Sequence, residues 1–245
     1  MSELETREGT GAGRCYACFR PPGHCFCAAI PRIDNRTRIL LLQHVGERSH
    51  PFNTARIVSR ALRNCQLIAD HNRRLGSRHL PIQSDAGLLY PGAQASALTE
   101  LPLGGGPSQL VIIDGTWHQA RTILRDVPQL QGLPCYRLSP SSPGQYRIRR
   151  EPDAQSLSTV EATVAALREL EPETTGLDQL LSAFHQMVEN QLRHAAGHAS
   201  WRRKKASESP RHLPRALFGD PSRLVVAYGE ATQANQVSGR PIRRR

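Results

Sequence analysis

Two unbroken apolar runs, Ile39-Leu-Leu-Leu42 and Leu110-Val-Ile-Ile113, constrain this chain more than any other feature. A strand that is apolar at every position must be covered on both faces, and each of these runs is followed by a segment of helical period. After the first run, Asn53 precedes Ile57, Val58, Ala61 and Leu62. After the second, Asp114-Gly-Thr-Trp117 leads into Trp117, Ala120, Leu124 and Val127, and Pro128 ends the helix. Residues 65–69, 87–90 and 135–138 read as further short strands, bounded by Gly, Asp, Asn and Pro. Residues 101–108, with three consecutive glycines, read as a flexible connection. Helices are expected over 158–170 and 177–194, the second carrying a stripe of Leu177, Leu180, Leu181, Phe184, Val188 and Leu192. Strands alternating with helices predict an α/β fold with a mostly parallel sheet flanked by helices. At 245 residues and 38% hydrophobic content the chain supports one domain with a sizeable core, plus appendages.

Four of the six cysteines fall within 13 residues, as Cys15-x-x-Cys18 and Cys25-x-Cys27 around the turn Pro21-Pro22-Gly23. Two close pairs across a turn can converge tetrahedrally, which suits a structural zinc. Disulfides or an iron–sulfur centre compete with that reading, and His24 stands where it could replace one thiolate. The organisation expected is a disordered start (1–14), a zinc knuckle (15–34), an α/β domain (35–200) and a basic extension (201–245). Cys65 and Cys135 read as ordinary buried residues.

Eleven basic residues lie beyond residue 199 against three acidic ones, so eight of the eleven net positive charges sit in that tail. Such asymmetry suits a polyanion, most simply nucleic acid, with Arg202, Arg203, Lys204 and Lys205 the densest cluster. The tail contains one strand-like run, 224–228, and is expected to be disordered over 231–245. Tyr146, Arg147, Arg149 and Arg150 interleave an aromatic ring with guanidinium groups, as an RNA backbone and a stacked base require, although a solvated edge strand would look similar. No apolar run approaches the roughly 20 residues of a membrane span, and the opening MSELETREGTGAG lacks an export signal. A cytoplasmic protein with no membrane association and no obligate protein partner is the expectation.

In a parallel sheet, ligands gather beyond the carboxyl ends of the strands, where Asp114-Gly-Thr-Trp117 lies. Asp114 offers a carboxylate there and Trp117 a stacking face. Yet Thr116 and Gln119 also fit a capping box, as do Ser158 and Glu161, so either set could simply start a helix. Helix starts also bind anions, so a ligand phosphate or carboxylate could dock at either. Gln43-His44, Glu47 and Asn53 read first as loop caps. No Gly-x-Gly-x-x-Gly, Walker loop or His-Glu-x-x-His is present, which removes the commonest nucleotide-binding and metalloprotease readings.

Taken in order, the paired cysteines, Leu42-Gln43-His44 with Glu47, Asn53-Thr54-Ala55-Arg56, Asp114-Gly-Thr-Trp117 with Ala120, Tyr146-Arg-Ile-Arg149-Arg150 and Leu157-Ser-Thr-x-Glu161-Ala162 resemble the DTW-domain family of tRNA-uridine aminocarboxypropyltransferases. The likeness extends from about Cys15 to Leu170. It departs where members commonly carry Pro after Gln-His, since this chain has Val45-Gly46, and the basic extension lies outside the pattern. The resemblance implies a SPOUT-like, knotted sheet and S-adenosylmethionine as co-substrate. The group transferred would be 3-amino-3-carboxypropyl, and the acceptor N3 of a uridine, in bacterial members a uridine of the tRNA variable loop. It implies catalytic roles for Asp114 as base, Thr116 and Trp117, and cofactor contacts from Trp117, Leu138, Ser158, Thr159 and Glu161. Zinc would sit on Cys15, Cys18, Cys25 and Cys27. An RNA methyltransferase of similar fold and a non-catalytic RNA-binding module are the competing readings.

Overall fold

The computed structural model describes residues 13–50, 52–92, 94–102, 104–139 and 157–208, and for residues 22 and 194–208 the backbone only. Six strands, β1 (Arg38–His44), β2 (Cys65–Asp70), β3 (Ala86–Leu89), β4 (Ser96–Ala97), β5 (Gln109–Asp114) and β6 (Cys135–Arg137), form one sheet in the order β2-β1-β5-β3-β6-β4. Every pairing is parallel. The α-helices among the described residues are α1 (Thr54–Ala61), α2 (Asn72–Ser77), α3 (Trp117–Asp126), α4 (Thr159–Leu170) and α5 (Leu177–Glu208).

The pleat divides the apolar runs between two cores. Ile39, Leu41, Leu110 and Ile112 face α1, α4 and α5. Leu40, Leu42, Val111 and Ile113 face α2 and α3. The central strands β1 and β5 therefore each carry four consecutive apolar residues, because both of their faces are covered. Gly76 in α2 marks how closely the second layer packs, since a Cβ there would stand 2.3 Å from the Asp126 carbonyl oxygen at the end of α3.

Besides short 3-10 turns, the structure adds one helix and one strand to those expected, α2 and the two-residue β4. It also carries α5 on to Glu208, past the expected end at 194. The apolar stripe stops at Leu192, but residues 195–208 are mostly Ala, Arg, Lys and other tolerant helix formers with no proline, so the helix propagates beyond the core. The expected boundary at 200 thus falls inside one helix. The expected strand at 224–228 and the segment 231–245 lie outside the described residues. No described helix is long and apolar enough to cross a membrane.

Candidate active site

Parallel register sets Ala69, Gln43 and Asp114 side by side across β2, β1 and β5. By the alternation of the pleat, all three turn to the face that carries α1, α4 and α5. Gln43 and Asp114 are fully buried there and must find partners. Gln43 Nε2 donates to Asp114 Oδ2 at 2.7 Å and to Asn53 Oδ1 at 3.0 Å, while its Oε1 accepts from Asn53 Nδ2 at 3.1 Å. Asn53 is itself the cap of α1, accepting from the Arg56 N–H at 2.8 Å, and it donates to the Glu47 carbonyl at 2.8 Å. On the other side, the Thr159 hydroxyl donates to Asp114 Oδ1, and it accepts from the Thr54 hydroxyl at 3.0 Å. Asp114 has an exposure of 0% and both of its oxygens accept hydrogen bonds.

Three stretches far apart in sequence, residues 43–54, Asp114 and Thr159, therefore close into one polar cluster inside an apolar layer. Its distribution differs from a reading of loop caps at Gln43. That amide is the bridge between α1 and the Asp114 carboxylate, and a single buried amide ending an apolar run was the sequence signal for it. Thr54 also has a role that spacing alone did not assign.

Both expected capping boxes form. The Thr116 hydroxyl accepts from the Gln119 N–H at 3.1 Å, and Gln119 Oε1 accepts from the Thr116 N–H at 2.6 Å. Ser158 and Glu161 repeat the arrangement at 3.2 and 2.8 Å. Thr116, Ser158 and Glu161 are thus engaged in starting α3 and α4. Trp117 is the half-buried first residue of α3, and Leu138 follows β6, packed partly against the core beneath α1 and α4. Tyr146, Arg147, Arg149 and Arg150 lie outside the described residues. Arg202, Arg203, Lys204 and Lys205 lie on the backbone of α5, with their side chains outside the described set.

On the opposite face of the same strand end, His44 Nδ1 accepts from the Gly46 N–H at 3.2 Å and lies 2.9 Å from Gln119 Nε2. An imidazole accepting at Nδ1 carries its proton on Nε2. His71, which precedes α2, stands edge-on to it with ring centroids 6.5 Å apart. Burial, and then the His71 charge, push the His44 pKa below its ordinary 6.5.

At the N-terminal side, Cys15, Cys18, Cys25 and Cys27 gather with all four sulfurs within 4.8 Å of one another. Cys15 to Cys27 and Cys18 to Cys25 are each 3.8 Å, and none of the four is in a disulfide. Four thiolates at tetrahedral zinc distance lie about 3.8 Å apart, so the set fits a metal ion. His24 is not part of this group. The Cys18 backbone N–H holds the Cys15 pKa down to about 6, whereas burial pushes Cys18 and Cys27 up. Burial alone raises Cys65 to about 12, consistent with an inert thiol.

The knuckle is fastened to α1 and the loop before it by two arginines. The Arg20 guanidinium lies over the rings of Phe26 at 5.0 Å and Phe52 at 4.8 Å, and Arg56 of α1 lies over Phe19 at 4.3 Å. Phe19 adopts φ 58°, in the left-handed region where a residue other than glycine costs about 1–2 kcal/mol.

The family model for the DTW domain matches residues 12–192. A protein of Drosophila melanogaster, tRNA-uridine aminocarboxypropyltransferase 2, is 30% identical over 192 residues, covering 75% of this chain and 76% of its own. The Macaca fascicularis protein of the same name is 29% identical over 204 residues, with 79% and 68% coverage. The Arabidopsis thaliana tRNA-uridine aminocarboxypropyltransferase A is 24% identical over 216 residues, with 74% and 81% coverage. No solved structure matches significantly. Residues Gln43, Asn53, Thr54, Asp114 and Thr159, which build the buried cluster, and the four cysteines all fall within the matched span, and the chain belongs to the DTW domain family.

Proposed function

We propose that this protein is a tRNA-uridine aminocarboxypropyltransferase that takes the 3-amino-3-carboxypropyl group from S-adenosylmethionine. The observation that carries the reading is the convergence of the family's separate motifs on one cluster at the carboxyl ends of β1 and β5. In the reaction, uridine N3 forms a bond to the donor Cγ, the Cγ–S bond breaks, methylthioadenosine leaves and the N3 proton goes to a base. All three carbons on the sulfonium are open to attack, so the site must select by pose, holding N3 in line with Cγ–S and shielding the methyl group.

Asp114 is the candidate base. Each of its oxygens retains a second lone pair beyond the bonds from Gln43 and Thr159. Its complete burial favours a second role beside that one, in which the carboxylate positions Gln43 and Thr159 and so shapes the floor of the site. Trp117 is proposed to wall the donor chain, with Leu138 and the start of α4 at Ser158, Thr159 and Glu161 beside the cofactor, and Thr116 holding the strand-to-helix turn. Tyr146, Arg147, Arg149 and Arg150 and the basic stretch Arg202 to Lys205 are proposed to contact tRNA. Cys15, Cys18, Cys25 and Cys27 would hold zinc, whose contribution there is to fix the knuckle rather than to react.

The test incubates purified protein with unmodified tRNA and S-adenosylmethionine and identifies nucleosides and small products by mass spectrometry. Aminocarboxypropyl-uridine with methylthioadenosine is expected. A methylated base with S-adenosylhomocysteine would replace the reading by a methyltransferase, and salt-sensitive binding without product would leave an RNA-binding module. Asp114→Asn is expected to abolish transfer and, because its Nδ2 faces a donor where a carboxylate oxygen accepted, to lower the melting temperature as well, while zinc content and tRNA binding stay close to wild type. Transfer retained in a folded Asp114→Asn protein would remove Asp114 as the base and leave it a positioning residue.

A further inference from the structure

A cleft of about 340 Å3 opens between the cysteine knuckle, α1 and the ends of β1 and β2, lined by Phe19, Gln43, Arg48, Arg56, Leu67 and Ala69. Two arginines are among its lining residues and no acidic residue is. One wall is Phe19, a residue 37% exposed, with the Arg56 guanidinium over one face of its ring. Glycine would hold the backbone turn at residue 19 without strain, so an aromatic ring kept there at φ 58° points to a use for the ring. Gln43 on the floor is the amide that also hydrogen-bonds Asp114, which joins the cleft to the proposed reaction centre.

We propose that this cleft seats one nucleotide of the RNA substrate, its base stacked on the Phe19 ring and its phosphates held by Arg48 and Arg56. The inference rests on the reading of the chain as an RNA-modifying enzyme and gives the knuckle a second task, that of presenting an aromatic platform beside the site. The chemistry selects a single-stranded or flipped-out nucleotide, because a stacked ring needs an unpaired base and two guanidiniums need its flanking phosphates.

The experiment uses the full-length, zinc-loaded protein and an unmodified tRNA transcript, with binding followed across a salt series. Phe19→Gly is expected to raise Kd about tenfold while zinc content is unchanged and the melting temperature stays close to wild type, because the backbone strain relieved at residue 19 offsets the lost contact with Arg56. Phe19→Tyr restores wild-type binding and Phe19→Leu does not. Arg48→Gln is expected to weaken binding and flatten the slope of log K against log salt by about one. Affinity for S-adenosylmethionine stays the same in every variant. The proposal is overturned if Phe19→Gly and Arg48→Gln bind tRNA as wild type does, if Phe19→Leu matches Phe19, if the variants lose S-adenosylmethionine but keep tRNA, or if the wild-type protein binds no RNA. Product formation by the wild type is scored separately. Transfer that persists in tight-binding variants overturns the cleft alone, whereas tRNA binding lost in the variants without any wild-type transfer overturns the enzymatic reading alone.

Discussion

The hydroxyl of Thr159 is the most exposing point at which to test the buried cluster. It accepts from Thr54 and donates to Asp114, and all three residues are buried, at 3%, 0% and 1% exposure for Thr54, Asp114 and Thr159. Thr159→Val keeps the shape and β-branching while deleting the middle of the relay. It removes a charge-assisted hydrogen bond and strands the Thr54 donor, which together cost about 3 kcal/mol. For a domain of this size that corresponds to a fall in melting temperature of about 6–12 °C. Urea unfolding should place the loss in the midpoint, with the slope unchanged. Thr159→Ser is expected to recover most of it. The double variant Thr54→Val/Thr159→Val should be no less stable than Thr159→Val alone, because the orphaned donor has gone. A Thr159→Val protein within about 0.5 kcal/mol of wild type, or a serine variant as unstable as the valine one, would refute the account of the relay as a structural tie.

Three further outcomes are expected. His44 has a lowered pKa, so the folded state binds fewer protons than the unfolded chain below pH 6.5. Its contribution is therefore complete above about pH 6.5 and is lost as pH falls towards the folded pKa. Melting curves from pH 5 to 7.5 should show a smaller acid loss for His44→Asn than for wild type, and equal losses would refute the assignment. Gly76→Ala pushes a Cβ against the Asp126 carbonyl and should cost about 1–3 kcal/mol in chemical denaturation; a neutral result would mean that α2 and α3 separate readily. Metal analysis should find one zinc per chain, with Cys18→Ser lowering both zinc content and melting temperature; iron, or an unchanged melting temperature after chelation, would contradict the zinc knuckle.

Much of this architecture is visible in the amino-acid order, and the reasons differ from element to element. Leu110 to Ile113 is legible as a two-sided strand because both cores need it. The capping boxes at Thr116 and Ser158 are legible because the residue pair is local. α2 escapes because its sequence, Asn-Arg-Arg-Leu-Gly-Ser, contributes Leu75 alone to the core, and one residue has no period. β4 is two residues long and owes its strand geometry to Tyr136 and Arg137 beside it. Gln43 and Thr54 are legible only as polar residues at apolar boundaries, since their partners lie 71 and 105 residues away in chain distance to Asp114 and Thr159. Phe19 gives no sequence signal at all, because its significance lies in a backbone angle.

The strand order has a bearing on how the chain reaches this state. In β2-β1-β5-β3-β6-β4 only β1 and β2 are neighbours in both sequence and space, so each other pairing must close a long loop before any contact repays it. The polar relay cannot nucleate folding. Its links span 45, 71 and 105 residues, and a carboxylate is costly to bury until every donor has arrived. On the ribosome, the buried polar cluster is accordingly assembled late, after α4 has been synthesised and docked, and nascent chains that stop short of Thr159 present Asp114 without its threonine partner. Variants that weaken the relay should therefore mainly speed unfolding and leave the folding rate nearly unchanged.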